Sequence, residues 1–266
     1  MKFDDKALFS DMIRLLLCCC LLGLGACRPT RLLPLPKSNP SAGGAVFYQQ
    51  AFAMGWAARD SFILQQLQAA SIPSFLRKLV PVRVTIPSEP KPVEVTFFVS
   101  PDYLSIGNDQ DWARVSLTAK GAAQALSMLD CFAPTPRLID LIYRQAKVKL
   151  APVPLFAHRD STPVMWHHHL IIEGQRKQRK GLIAGIKKDI VFVNAKGDSV
   201  MGNRVGIYGW HKTDAVPIQP FYQGHVWWYT DYSHGLRLVS RRVKVGRKWT
   251  NVEALLRDTI LRASLF

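Results

Sequence analysis

The sequence predicts an α+β fold, as a single mixed domain with a mainly antiparallel sheet and several packed helices. Hydrophobic residues make up 48% and charged residues 20% of the 266 residues, so the chain can bury a large core and is not disordered throughout. Segments with helical periodicity and segments rich in valine and threonine follow one another without regular alternation, which favours α+β over a doubly wound parallel sheet. The sequence contains no internal repeat.

The first half of the domain is predicted to hold helices at both ends and strands between them. Apolar residues at helical spacing over 44–70 indicate one long helix, or two broken near Gly55. Thr118 is a suitable N-cap for a helix that runs to about Asp130. The remaining predicted elements are strands at 80–87, 93–100, 103–106 and 112–117 and a helix at 137–146.

In the second half, a proline-rich surface connection over 147–161 precedes a helix at about 163–179. The pattern then turns to strands, and Thr250 or Asn251 is expected to cap a last helix that reaches about Ala263. The predicted strands are 182–194, 204–210, 225–230 and 236–245.

The N-terminus has the features of an export signal. The basic residues Lys2, Lys6 and Arg14 precede a 12-residue apolar stretch, Leu15–Ala26, which is too short to span a membrane. The stretch ends in Leu-Gly-Ala-Cys, which resembles the bacterial lipobox and implies lipidation of Cys27 as the mature N-terminus. An ordinary signal peptide or an uncleaved anchor is the alternative. The predicted organisation is a signal peptide at 1–26, a lipidated cysteine and proline-rich tether at 27–43, and one domain at 44–266.

Charge and cysteine usage indicate partners and compartment. Lysine and arginine outnumber aspartate and glutamate by 35 to 19, so the chain attracts anions, and an anionic envelope polymer is the expected partner besides the membrane itself. No nucleic-acid motif accompanies this charge. Cleavage before Cys27 would leave Cys131 as a single thiol in the body of the protein, where a buried structural role is expected. The residue after Cys27 is Arg28 and not the aspartate that retains lipoproteins in the inner membrane, which favours the outer membrane of a double-membraned bacterium.

Reactive residue types are densest in the segment 204–237. If the strand includes 225–231, alternation places His225, Tyr229 and Asp231 on one face together with Trp227. Neighbouring strand ends could then bring His211, His234 and Asp231 into one pocket. The candidate catalytic residues are His211, His225, Asp231, Ser233 and His234. The candidate substrate-binding residues are Lys188, Tyr208, Gln219, Tyr232 and Arg237.

Two chemistries suit this set of candidates. Neutral imidazoles and a carboxylate can bind zinc and activate a water, or a histidine oriented by Asp231 can act as general base. The alternative is a half-buried aromatic sheet in which the histidines only satisfy hydrogen bonds. His234 is expected on a turn that projects into a solvent-facing cleft. Lys187, Lys188 and Asp189 could supply a cation for a substrate carboxylate or phosphate, but such a triplet is more often a solvated strand entry. Of His167–His169 at most His169 is expected to face a site.

The motifs Tyr-Gly-Trp-His, Pro-Ile-Gln-Pro and Asp-Tyr-Ser-His-Gly resemble those of a group of exported bacterial proteins without an assigned activity. The resemblance covers most of the chain after Ile72 and implies a single domain, but no catalytic residue. The functional expectation is an envelope-anchored lipoprotein that hydrolyses a cell-wall or other extracytoplasmic polymer. The alternative is a non-catalytic lipoprotein that binds an anionic glycan or peptide through basic and aromatic surface.

Overall fold

Short strands and eight helices alternate irregularly along the computed structural model, which describes residues 31–35, 42–194 and 200–266. The α+β prediction is confirmed, and most strand pairs are antiparallel. The predicted signal peptide and Cys27 lie outside the described residues, and the tether lies partly outside them. Within the described ranges no helix is long and apolar enough to cross a membrane.

Four of the eight described helices begin at a residue whose side chain caps the first turn. Thr118 and Thr135 each accept a hydrogen bond from an amide of the first turn, and the Asn251 side chain accepts one from the Ala254 amide. The predicted break at Gly55 is confirmed, because Gly55 is the N-cap of the second helix. The helices are α1 Gly44–Gln50, α2 Trp56–Gln68, α3 Ser74–Arg77, α4 Ala119–Met128, α5 Pro136–Gln145, α6 Thr162–Arg176, α7 Val252–Arg257 and α8 Thr259–Leu265.

A seven-stranded sheet forms the framework of the fold. Its strands are β1 Arg31–Leu32, β2 Lys78–Ile86, β3 Val93–Val99, β6 Cys131–Phe132, β15 Val239–Ser240, β16 Arg242–Val245 and β17 Lys248–Asn251. Strands β2 and β3 form a long hairpin in which Val80 pairs with Val99 and Ile86 with Val93. Because β1 pairs with β2, part of the segment expected to be a tether belongs to the sheet.

A four-stranded sheet, in the order β13-β12-β9-β14, carries the polar residues of interest. Its strands are β9 Lys188–Ile190, β12 Ile207–His211, β13 Pro217–Tyr222 and β14 His234–Gly235. Strand β14 pairs in parallel with β9, so that His234 lies opposite Lys188. Two-stranded pairs complete the described structure: β4 Ser105–Gly107 with β5 Trp112–Arg114, β7 Val148–Lys149 with β8 Ile183–Ala184, and β10 Val200–Met201 with β11 Arg204–Val205.

One large apolar core joins the helices to the seven-stranded sheet. Cys131 is buried in this core, as predicted for a structural thiol. A smaller apolar cluster contains Tyr103, Ile172, Ile183 and Ile186. It is linked to β9 through the Tyr103 hydroxyl, which donates to Asp189.

Candidate functional site

The carboxylate of Asp231 is the centre of a buried hydrogen-bond network. Its Oδ1 accepts bonds from the Ser233 amide at 2.8 Å and the Ser233 hydroxyl at 2.6 Å. Its Oδ2 accepts bonds from the Tyr229 hydroxyl and from Arg159, each at 3.0 Å. Burial alone would raise the pKa of Asp231, but His234, Ser233 and Arg159 outweigh it and hold that pKa well below its usual range. The group is therefore a fixed negative charge at neutral pH.

Two histidines lie beside this carboxylate. His225 stacks on the Tyr229 ring at 4.5 Å between centroids, and its ring lies 5.6 Å from that of His234. Burial lowers the pKa of His234 to about 4, although Asp231 acts to raise it, and burial also lowers the pKa of His225. Both imidazoles are neutral at pH 7. His234 is only 1% exposed, and its Nε2 has no hydrogen-bond partner among the described residues.

The position of His234 in a turn suggested that its side chain projects into a solvent-facing cleft, but the side chain is buried. The cluster opens to the surface at Arg159, His225 and Tyr229, which are partly exposed, while Asp231 and His234 lie behind them. The neutral imidazole of His225 is therefore nearer the surface, and the Asp231 carboxylate lies in the interior behind it.

The segment Lys187–Asp189 is buried, and the prediction of a solvated strand entry is wrong. The Lys188 ammonium lies 5.0 Å from the centroid of the Trp210 ring, and the pairing of β9 with β14 brings Lys188 beside His234. The Lys187 ammonium donates to the carbonyl of Tyr232. Burial and Arg114 lower the pKa of Lys187 to about 7, against Asp231 and Asp102, which raise it.

A layer of buried polar groups supports this segment. The Tyr103 hydroxyl donates to Asp189 at 3.1 Å, and the Arg237 guanidinium lies 4.1 Å from the centroid of the Tyr103 ring. Arg237 also donates to the carbonyls of Ser100 and Ile183 at 3.0 and 2.8 Å. These bonds hold Arg237, a predicted substrate-binding residue, in the interior of the fold, where its side chain is fully buried.

His168, rather than His169, is the histidine of the 167–169 run that reaches the site. Its ring packs on Tyr232 at 4.9 Å, and burial and Lys187 lower its pKa to about 2. His169 instead accepts a bond from the Arg114 amide at 3.3 Å. His167 is exposed. The sequence singled out His169, or none of the three, and not His168.

His211 belongs to a separate cluster. Its Nε2 is 2.9 Å from the Asp140 carboxylate, which also accepts a bond from the Tyr208 hydroxyl at 2.9 Å. His211 stacks on Tyr143 at 4.6 Å. Strand β9 lies between the strand that carries His211 and the strand that carries His234, so the two histidines do not share the pocket expected from the sequence.

The segment 225–230 is not the predicted strand. Outside an isolated bridge at Val226, it forms a turn, so His225 and Tyr229 come together by ring stacking rather than by strand alternation. Of the other predicted residues, Gln219 lies on β13 with its amide bonded to the Pro220 carbonyl, and the Tyr232 hydroxyl bonds the backbone of Leu155.

Several contributors to the site were not among the predicted residues, and they include Arg159, Tyr229, Lys187, Tyr103 and His168. Arg159 lies in a segment whose prolines indicate a surface connection, and nothing in its local sequence distinguishes it from the other arginines. His168 could have been found from the period of 3.6 residues, since Met165, His168 and Ile172 lie on the buried face of α6.

The donors of the site are not arranged to hold a metal. Both Asp231 oxygens are occupied by four hydrogen-bond donors, and the described ranges contain no group of three histidine, cysteine, aspartate or glutamate side chains that could hold an ion. The zinc chemistry considered from the sequence therefore has no ligand set in this part of the chain.

Comparison with protein-family models, curated proteins and solved structures finds no match to the chain.

Proposed function

We propose that the protein is a hydrolase of a cell-wall or other extracytoplasmic polymer, with a centre formed by His225, Asp231 and His234. The observation that carries the proposal is that two neutral imidazoles lie within the electrostatic influence of a buried carboxylate, which is held by bonds from Ser233, Tyr229 and Arg159. A neutral imidazole accepts a proton, and a nearby fixed negative charge stabilises the imidazolium that results.

His225 is the proton acceptor in this mechanism because it is the one of the two imidazoles that is partly exposed to solvent. It removes a proton from a water molecule as the water oxygen attacks the substrate, and it returns that proton to the leaving group when the scissile bond breaks. Asp231 stabilises the charged imidazole. Arg159 and Lys188 stabilise the negative charge that develops on the substrate.

Ser233 has a positioning role in this proposal. Its hydroxyl is fully buried and donates to Asp231, so its proton is directed at a carboxylate and not at a histidine. A serine nucleophile needs the opposite arrangement, in which a base accepts the hydroxyl proton. His211, bonded to Asp140, takes no part in the reaction.

The proposed setting is the bacterial cell envelope. Lipidation of Cys27 would anchor the protein to a membrane facing the periplasm or exterior, with the outer membrane favoured in a double-membraned bacterium. The formal charge of +16 supports attraction to an anionic envelope polymer, which would raise the substrate concentration near the protein.

Replacement of His225 tests the proposal. His225→Ala should lower the turnover of purified cell wall by a factor of about 100 or more, the usual scale for losing acid–base assistance. Its melting temperature should change little, because the side chain is partly exposed. His167→Ala, which removes an exposed histidine outside the cluster, is the matched control and should retain full turnover.

Equal turnover in the two variants would refute the role of His225. If the unmodified protein binds cell wall and releases no product, the non-catalytic alternative, a lipoprotein that binds an anionic glycan or peptide, replaces the hydrolase.

A further inference from the structure

A cleft of about 590 Å³ adjoins the candidate site. Its walls include three aromatic side chains with large exposed fractions: Phe52 at 65%, Trp56 at 42% and Trp228 at 41%. Tyr229 also lines the cleft, and its hydroxyl donates to Asp231. The cleft and the proposed catalytic centre are therefore joined through one side chain.

The cleft also has polar groups that lack partners within the described part of the chain. Thr230 is 2% exposed and its hydroxyl makes no hydrogen bond there, and the same holds for the Nε of Arg59, which is 3% exposed. The Arg59 guanidinium is fixed in place by the Asp160 carbonyl at 3.2 Å and the Thr162 hydroxyl at 3.1 Å. Arg59 and Thr230 therefore add polar groups to the wall of the cleft, behind its exposed aromatic rings.

We infer that this cleft binds a carbohydrate chain. Pyranose rings combine apolar C–H faces, which pack on exposed aromatic rings, with hydroxyl groups at their edges, which can bond exposed polar groups of the lining such as the Asp160 carboxylate. Arg59 and Asp160 carry opposite charges in the lining of the cleft. Because these charges largely cancel, the cleft favours an uncharged stretch of ligand over a polyanion. The inference names the substrate class of the proposed hydrolase and in that respect rests on the proposed function.

Titration of the full-length protein in detergent with tetra-N-acetylglucosamine, a soluble uncharged oligosaccharide, tests the inference. Calorimetry should show saturable binding, which Trp228→Ala and Phe52→Ala should each weaken by up to about tenfold, the scale of one aromatic stacking contact. Trp249→Ala and Phe156→Ala are matched controls, since Trp249 is 41% and Phe156 88% exposed and neither lines the cleft. Both controls should bind as the unmodified protein does.

Absence of binding by the unmodified protein would overturn the inference, as would equal weakening in the cleft variants and the controls. Tighter binding of an extended pentapeptide, titrated in parallel, would assign the cleft to a peptide instead. Saturable sugar binding without turnover of cell wall removes the hydrolase and leaves the cleft assignment standing. Turnover whose KM is unchanged by Trp228→Ala removes the cleft assignment and leaves the hydrolase standing.

Discussion

Ser233 and Asp231 are joined twice, since both the amide and the hydroxyl of Ser233 donate to the same carboxylate oxygen, at 2.8 and 2.6 Å. An aspartate that accepts a bond from the amide two residues later forms a local turn. This turn leads directly into β14 and fixes the place of His234 next to the carboxylate. The two residues thus act as one structural unit.

Ser233→Ala separates a positioning role from a nucleophilic one. The substitution removes one of the four bonds to Asp231 and should cost about 1.5–3 kcal/mol of stability, the typical range for a hydrogen bond to a charged group. Turnover should stay within a few-fold of the original, because the amide of residue 233 still holds the carboxylate. Urea unfolding and a cell-wall digestion assay measure the two quantities. Complete loss of turnover in a folded variant would make Ser233 the nucleophile.

Asp189 should make the stability of the protein depend on pH. Burial raises its pKa to about 7, against Arg237, Tyr103 and His211, which lower it. In the unfolded chain the carboxyl ionises near the ordinary aspartate pKa of 3.8. Between these two pKa values the folded state holds the extra proton, so the contribution of Asp189 to stability falls as the pH rises through this window.

Asp189→Asn replaces this group with a neutral side chain of similar shape. The free energy of unfolding of the variant, relative to the unmodified protein, should therefore rise by about 1 kcal/mol or more between pH 5 and pH 8. Urea titrations at the two pH values measure the difference. A difference that is constant or falls with pH would show that Asp189 is ionised in the folded protein throughout this range.

Gly235 should not tolerate a larger side chain. A Cβ at this position would lie 2.5 Å from Tyr103 Cδ1 and 2.8 Å from Lys187 Cβ, inside the layer that supports the site. Gly235→Ala should lower stability by about 1–3 kcal/mol, as is usual for overpacking. Gly174→Ala is the matched control, because no atom lies within 4 Å of a Cβ there and alanine favours the interior of α6. Thermal unfolding should rank Gly174→Ala highest, and the reverse order would contradict the packing at Gly235.

The lipid anchor is tested at Cys27. Cys27→Ser should abolish labelling of the protein by a radioactive fatty acid and leave the precursor unprocessed or released from the membrane. Cys131→Ala is the control, since the Cys131 thiol is buried in the core and should leave labelling unchanged. Normal labelling of Cys27→Ser would refute the lipobox interpretation and leave an ordinary signal peptide or anchor.

Local chemistry made much of the fold predictable. The hydroxyl of Thr118 and the amide oxygen of Asn251 each bond a first-turn amide, so these residues mark helix starts wherever the chain packs. The hairpin of β2 and β3 follows from two segments rich in valine and threonine joined by a proline-rich turn. These signals act within a few residues, so they need no knowledge of the rest of the structure.

The candidate site was less predictable because distant partners decide it. Lys187 and Lys188 have the composition of a solvated segment, yet they are buried beside Asp231 and the Tyr232 carbonyl, more than 40 residues away along the chain. His211 is drawn to Asp140 because α5 packs on β12. The residues His225, Asp231, Ser233 and His234 could be grouped from the sequence because they are close in sequence as well as in space.

The distances along the chain that separate bonded groups at the site have a kinetic consequence. The Ser116 hydroxyl donates to the His234 carbonyl across 118 residues, and Tyr103 reaches Asp189 across 86. Contacts of such high sequence separation slow folding, because a long loop must close before any of them forms. The site therefore assembles only after the chain has been made beyond His234, and its contacts are among the slower ones of the fold to form.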